Sequence, residues 1–151
     1  MLSATSQYAL RAMALLASRH RSAAVLGREI ARETGIPANY LCKILVGLNK
    51  AGIVAATRGT RGGYSLITPP ESITLDRIVA VFDRDIVNPC CLLGYSRPCS
   101  DENACSAHHV WKETREQLVS FLENTTLSDI SHGRPGQRNA LLSQLTPLPA
   151  K

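Results

Sequence analysis

The stretch of sequence that decides the fold is residues 35–64, GIPANYLCKILVGLNKAGIVAATRGTRGGY. In its first half, apolar residues stand at positions 41, 44, 45 and 48, the spacing of a helix that buries one face. Pro37 lies where this helix would begin, a position that tolerates the missing backbone N–H. In its second half, two short β-prone segments flank a glycine-rich basic turn, a pattern typical of a β-hairpin.

The preceding residues extend this pattern to a known motif. Residues 25–35 predict a shorter helix that points Ile30 inward and stops at Gly35. Two helices joined by a tight Gly-Ile-Pro turn form a helix-turn-helix, and its second helix normally enters the DNA major groove. A first helix is predicted over residues 3–19, with Ser3 or Thr5 as its cap. With the hairpin as a wing, residues 1–68 predict a winged helix-turn-helix domain, so the fold class is mainly α with a small β-hairpin.

The charge distribution indicates a nucleic-acid partner for this domain. Residues 1–68 carry nine basic and two acidic side chains, a net charge of +7, whereas residues 69–151 have a net charge of −2. A basic first half suits a polyanion such as double-stranded DNA. The predicted base-reading residues are Asn39, Tyr40 and Lys43, and those predicted to contact phosphate or the minor groove are Arg28, Arg32, Arg58 and Arg61.

Beyond Pro69-Pro70, two more helices are predicted in a second unit, residues 69–130. One runs from a cap at Thr74 to about residue 83, and a longer one, capped by Ser106, covers about 107–123. The longer helix has an apolar stripe near 3.5-residue spacing, which favours a seam between paired helices and hence a homodimer. Its members are Trp111, Thr114, Leu118, Phe121 and Leu122. Residues 131–151, rich in Gly, Pro, Gln, Asn and Ser, predict a flexible tail.

Between these helices lies a segment that we call the cysteine loop, residues 90–109, CCLLGYSRPCSDENACSAHH. It contains four of the five cysteines and two of the four histidines. The candidate ligands Cys91, Cys99, Cys105 and His108 have the spacing C-x7-C-x5-C-x2-H. Three thiolates and one imidazole in a bendable loop indicate a metal or iron–sulfur site. Zinc remains an alternative, although structural zinc usually shows two close ligand pairs.

Other classes of function fit the sequence less well. The first residues lack the basic start and apolar run of a signal peptide, so we expect a cytoplasmic protein without structural disulfides. No apolar run has the length of a membrane span. The cysteine spacing differs from that of ferredoxins, which disfavours an electron carrier. No nucleophile–base pair or phosphate-binding loop is visible, so we do not expect an enzyme.

Four segments resemble the Rrf-two family of bacterial winged-helix regulators, which includes IscR-, NsrR- and RirA-like iron–sulfur regulators. They are residues 8–10 (YAL), 36–41 (IPANYL), 48–54 (LNKAGIV) and 58–64 (RGTRGGY), together with the cysteine loop. The resemblance covers about residues 1–130. It implies a cytoplasmic homodimer, a repressor or activator, that binds DNA according to the state of an iron–sulfur cluster.

The resemblance also bears on the ligands. The family's first cysteine matches Cys90 or Cys91, and the following Leu-Leu-Gly favours Cys91. The nitric-oxide-sensing branch resembles a four-iron design with a carboxylate where this chain has the uncharged Gln7, whereas the IscR-like branch places a histidine where His108 stands. The resemblance therefore implies a [2Fe–2S] cluster held by three cysteines and His108, with [4Fe–4S] or zinc as alternatives. A zinc-stabilised or thiol-switch regulator or adaptor without a cluster is the competing hypothesis; for Cys42, we expect a half-buried packing role rather than a thiol switch.

Overall fold

The computed structural model describes residues 2–20, 22–59, 62–87, 92 and 100–131. The described part is mostly helical with one two-stranded antiparallel hairpin, as predicted. Its elements are α1 (Ala4–Ser18), α2 (Gly27–Thr34), α3 (Ala38–Lys50), β1 (Val54–Thr57), β2 (Gly63–Leu66), a 3-10 turn (Pro70–Ser72), α4 (Leu75–Val79), α5 (Arg84–Val87), a second 3-10 turn (Asp101–Asn103), α6 (His108–Asn124) and α7 (Leu127–Ser131). Among these residues, no helix has the length and apolar character needed to span a bilayer.

The first three helices enclose one apolar core. The side chain of Ser3 caps α1 by accepting a hydrogen bond from the backbone N–H of Ser6 at 3.1 Å, as the sequence predicted. Met13 of α1 and Ile30 of α2 are fully buried in the same cluster as the apolar stripe of α3. Gly35 ends α2 with φ +68°, a conformation that glycine adopts without strain, and this lets α3 start at once in a new direction.

The hairpin is attached to the helices by backbone pairing. Val54 pairs with Leu66 and Thr57 with Gly63. The segment before α2 adds a short third rung, because Val25 N–H donates to the Tyr64 carbonyl at 2.9 Å and Tyr64 N–H donates to the Val25 carbonyl at 2.8 Å. A Cβ at Gly63 would lie 2.6 Å from the Val25 carbonyl oxygen, so only glycine allows this approach. The base of the wing is therefore held against the segment before α2.

The C-terminal elements pack back onto the winged part. Leu127 of α7 is buried in the same cluster as Met13, and the Leu127 N–H donates to the Ile73 carbonyl at 2.7 Å. Leu122 of α6 packs in a second cluster with Leu75 of α4. Apolar contacts thus run across residue 68, and the proposed domain boundary there stays a prediction.

Two details of the predicted helices are wrong. The helix predicted to reach residue 83 ends at Val79, because the chain turns so that Val81 and Phe82 pack against the main core, and α5 starts separately. The N-cap of α6 is Ala107 and not Ser106, whereas Thr74 stands at the N-cap position of α4 as predicted, although its side chain makes no capping hydrogen bond. Ahead of α6 the backbone already turns, since the His108 N–H donates to the Cys105 carbonyl at 2.9 Å.

Candidate nucleic-acid interface and metal centre

The face of α3 opposite the core is exposed at the residues predicted to read bases. Leu41 and Ile44 are buried, which turns Asn39, Tyr40 and Lys43 to the solvent. Tyr40 keeps 48% of its surface exposed, a large value for an aromatic side chain. These three residues share the N-terminal half of the second helix of the motif, the half that meets base edges in helix-turn-helix proteins.

An edge-to-face aromatic pair next to this face was not predicted from the sequence. The ring of Tyr8 on α1 meets the ring of Tyr40 edge-on, with centroids 6.2 Å apart. The guanidinium carbon of Arg11 lies 5.4 Å from the centroid of Tyr8, within cation–π range. This pair connects α1 to the exposed end of α3, and Tyr8 contacts the Tyr40 ring from one side. A contact across about thirty residues leaves no trace in helical periodicity.

The predicted phosphate-binding arginines are exposed on two elements. Arg28 and Arg32 lie on the surface of α2, and Arg58 follows β1 at the edge of the wing. Arg32 has an acidic neighbour, since its guanidinium lies 3.8 Å from Glu33. The stronger partner of Glu33 is Arg19 of α1, whose Nη2 contacts both carboxylate oxygens at 2.7 Å. Arg61, the other predicted wing contact, lies outside the described residues.

The proposed metal ligands fall partly within the described chain. Cys91 and Cys99 lie outside it, as does Cys90. Cys105 is half-buried just before α6, and His108 is buried in the first turn of that helix with 7% of its surface exposed. His109, by contrast, is exposed. The structure therefore brings the last cysteine and His108 to the same end of α6.

His108 belongs to a small charged network. Its Nε2 lies 2.9 Å from Oδ1 of Asp101, and the other oxygen of Asp101 lies 3.7 Å from Nζ of Lys112. The hydrogen bond from His108 first, and then the positive charge of Lys112, lower the pKa of Asp101 below its ordinary value. Asp101 is therefore a carboxylate at neutral pH. The sequence carries no signal for this contact, because it depends on how the chain folds between residues 101 and 108.

The donor chemistry fits both an iron–sulfur cluster and zinc. Thiolate sulfur and imidazole nitrogen are ligands for either. Among the described residues, no three His, Cys, Asp or Glu side chains form a metal-binding group. Cys91 and Cys99 would have to complete the set, so the choice of ligands stays a prediction. Gln7, which stands where the resemblance places a carboxylate in the nitric-oxide-sensing branch, donates from its side chain to the Leu2 carbonyl at 3.0 Å.

The expectation for Cys42 is wrong. It was expected to be a half-buried packing residue, but it is exposed on α3 beside Lys43. The cause is the register of the helix, because Leu41 and Ile44 take the positions that face the core.

Asp83, which precedes α5 and the cysteine loop, is attached to the N-terminus of α1. The Ser3 N–H donates to Oδ2 of Asp83 at 2.8 Å, a contact across 80 positions of sequence. Partial burial raises the pKa of Asp83, but the N–H that it accepts from Ser3, the nearby side chains of Ser3 and Ser6 and the charge of the chain's N-terminus together lower it below its ordinary value. This bond holds the residue before α5 against the winged part.

One side of α6 leaves an apolar groove open. Trp111 and Leu118 are only half-buried. Together with residues of the N-terminal segment they form a groove of about 420 Å³, lined by Leu2, Gln7, Trp111, Thr114, Arg115 and Leu118. Three of the predicted stripe residues thus line the groove, whereas Leu122 is buried within the chain.

Comparison with known proteins adds an independent line of evidence. A family model described as "Rrf2: Iron-dependent Transcriptional regulator" matches residues 2–133. An HTH-type transcriptional regulator of Aquifex aeolicus is 38% identical over 128 residues, covering 83% of this chain and 88% of that protein. The regulator IscR of Yersinia pseudotuberculosis is 30% identical over 129 residues, covering 85% of this chain and 77% of that protein. The structure of CymR, described as the global cysteine regulator of B. subtilis, superposes with a TM-score of 0.74 at 26% identity, covering 87% of this chain and 95% of that one.

Proposed function

Because this chain belongs to the Rrf2 family of transcriptional regulators, we propose that it is a cytoplasmic homodimer whose affinity for operator DNA depends on an iron–sulfur cluster. The family and the relatives are transcriptional regulators, so the prediction that the chain is not an enzyme is confirmed. The observation that carries the DNA-binding part of the proposal is the exposed N-terminal half of α3 on a helix-turn-helix whose other face is buried in the core.

The DNA contacts follow from where the side chains lie. Asn39, Tyr40 and Lys43 would contact base edges in the major groove, because they are exposed where the second helix of the motif meets DNA. The arginines of α2 and the wing would contact phosphate or a narrow minor groove. Such contacts add affinity that depends little on the DNA base sequence. These arginines are Arg28, Arg32, Arg58 and Arg61.

The proposed cluster is [2Fe–2S], held by Cys91, Cys99, Cys105 and His108. Its support is the donor set, the family resemblance, and the position of Cys105 and His108 together at the start of α6. When bound, such a cluster supplies a redox-active centre whose potential depends on its ligands. The N-terminal end of α6 places a positive helix dipole near these ligands, which favours a negatively charged group.

We infer that the cluster acts through the geometry of the two subunits. Asp83 precedes α5 and the cysteine loop and is bonded to α1. The loop is followed by α6, whose groove around Trp111 is the proposed dimer contact. Binding of the cluster by its protein ligands would therefore fix the start of α6 relative to α3. In a dimer this sets the spacing of two recognition helices that must match half-sites about one DNA turn apart. A misfit of about 1–3 kcal/mol would change affinity roughly 5–150-fold.

The test compares specific and non-specific binding. Duplexes selected from a random library by the cluster-loaded protein serve as the specific target, and a scrambled duplex is the reference. Lys43→Ala should lower the ratio of the two affinities about 5–150-fold, the range of one base contact. Lys50→Ala is the matched control, because Lys50 is an exposed lysine at the other end of α3. Equal ratios for both variants would contradict the proposed reading face.

The ligands are tested with the same duplexes. Cys91→Ala, Cys99→Ala and Cys105→Ala should remove the cluster, keep a folded dimer and alter specific binding only. His108→Ala should retain a more labile cluster, and Cys42→Ser should retain the wild-type cluster. If all the ligand variants bound as tightly as the loaded wild type, the cluster would not be the regulator.

A cluster-free regulator is the second candidate. Two observations favour it, namely the similarity to a protein described as a global cysteine regulator and the exposed thiol of Cys42 on α3. It predicts a colourless protein, containing zinc or no metal, whose DNA affinity responds to thiol oxidation and loses that response in Cys42→Ser.

A further inference from the structure

The network around His108 restricts how that residue could bind iron. The Nε2 atom of His108 lies at hydrogen-bond distance, 2.9 Å, from the Asp101 carboxylate. A carboxylate only accepts hydrogen bonds, so a neutral imidazole in this contact carries its proton on Nε2. Its lone pair is then on Nδ1. A metal that binds this ring while the contact persists must use Nδ1.

The backbone turn and two side chains of α6 surround Asp101. It lies in a short 3-10 turn between the second and third proposed cysteine ligands, and its other oxygen forms an exposed ion pair, 3.7 Å long, with Lys112, one helical turn after His108. The turn is closed by the Asn103 N–H, which donates to the Ser100 carbonyl at 3.1 Å. Because His108 is buried, its ring has little freedom to rotate away from Asp101.

We propose that Asp101 is a positioning residue that presents Nδ1 of His108 to the cluster and keeps that ligand from exchanging. The proposal rests on the proposed function, because it assumes a cluster bound by His108. Partners that fix the tautomer of a ligating histidine commonly change metal affinity about 10–100-fold when they are removed. An ordinary helix-end ion pair would stabilise α6 but would leave the ligating nitrogen unchanged.

The decisive readout is the identity of the ligating nitrogen. Protein is made with histidine labelled with ¹⁵N at either Nδ1 or Nε2, reduced with dithionite and measured by pulsed electron paramagnetic resonance. Strong ¹⁵N coupling is expected from the Nδ1 label in the wild type. Asp101→Ala should reduce the difference in ¹⁵N coupling between the Nδ1 and Nε2 labels and shorten the half-life of the cluster in air about 10-fold.

Matched variants separate positioning from general charge effects. Asp101→Asn keeps an oxygen acceptor for Nε2–H, so it should retain Nδ1 coupling with an intermediate half-life. Glu102→Ala removes an exposed acid from the same turn and should behave as the wild type. Thermal unfolding of each variant shows whether the fold itself has changed.

Each outcome decides the proposal. Nδ1 coupling together with a labile cluster in Asp101→Ala supports it. Strong coupling from the Nε2 label in the wild type, or an Asp101→Ala cluster as long-lived as that of Glu102→Ala, overturns it and leaves the proposed function intact. A protein that holds no cluster after anaerobic purification overturns the proposed function and this inference together.

Discussion

Replacing Asp83 with alanine removes the hydrogen bond that holds the residue before α5 to the start of α1. The Asp83 carboxylate accepts the Ser3 N–H at 2.8 Å, next to the cap that starts the helix. A hydrogen bond to a charged group contributes about 1.5–3 kcal/mol, and partial solvent exposure of this pair reduces that to about 1–2 kcal/mol. For a chain of 151 residues, the melting temperature should fall by about 2–8 °C.

The pH dependence of this loss has a definite sign. The folded state lowers the pKa of Asp83 below 3.8, so its contribution is fully present above that value and disappears as the pH falls through the lowered pKa. The difference in unfolding free energy between wild type and Asp83→Ala should therefore be constant from about pH 5 to pH 8 and shrink below about pH 4.

Chemical denaturation at a series of pH values measures this difference. Glu71→Gln is the control, because it removes an exposed carboxylate from a neighbouring 3-10 turn. Asp83→Ala should also reduce the difference in specific DNA affinity between the loaded and cluster-free protein. The reasoning is refuted if Asp83→Ala is as stable as Glu71→Gln at pH 7, or if the stability difference grows as the pH falls.

Three further predictions concern the DNA and dimer surfaces. Arg58→Ala should weaken binding to all duplexes alike and reduce the slope of log K against log salt by about 1, measured by fluorescence anisotropy; an unchanged slope would exclude a phosphate contact. Tyr8→Leu should release the Tyr40 ring and lower specific affinity about 2–10-fold, the equivalent of one aromatic pair, whereas non-specific affinity that fell equally would contradict this. Trp111→Ala should raise the dimer dissociation constant about 30-fold or more by sedimentation analysis, and a wild type that is monomeric at all concentrations would rule out the proposed seam.

The winged part could be predicted from the sequence because local patterns determine it. Leu41, Ile44 and Leu48 recur at helical spacing, and all three are buried as expected. Gly35 and Pro37 mark the turn between α2 and α3, and their conformational preferences act within two residues of chain.

The rest depends on contacts between distant residues. The hydrogen bond of Asp83 to Ser3 spans 80 positions, and the bond of Asp101 to His108 depends on how the chain enters α6, so neither has a periodic signature. The exposure of Cys42 could not be predicted for a different reason. A free cysteine is usually a buried packing residue, but the register of α3 decides which residues face the core.

The proposed regulation requires this chain to hold an iron–sulfur cluster. The most direct measurement is the absorption spectrum of anaerobically purified protein, with iron, acid-labile sulfide and zinc determined on the same sample. We expect a coloured protein with two iron and two sulfide per chain, both lost in Cys105→Ala but not in Cys42→Ser. A colourless protein with one zinc per chain, or with no metal, would contradict it.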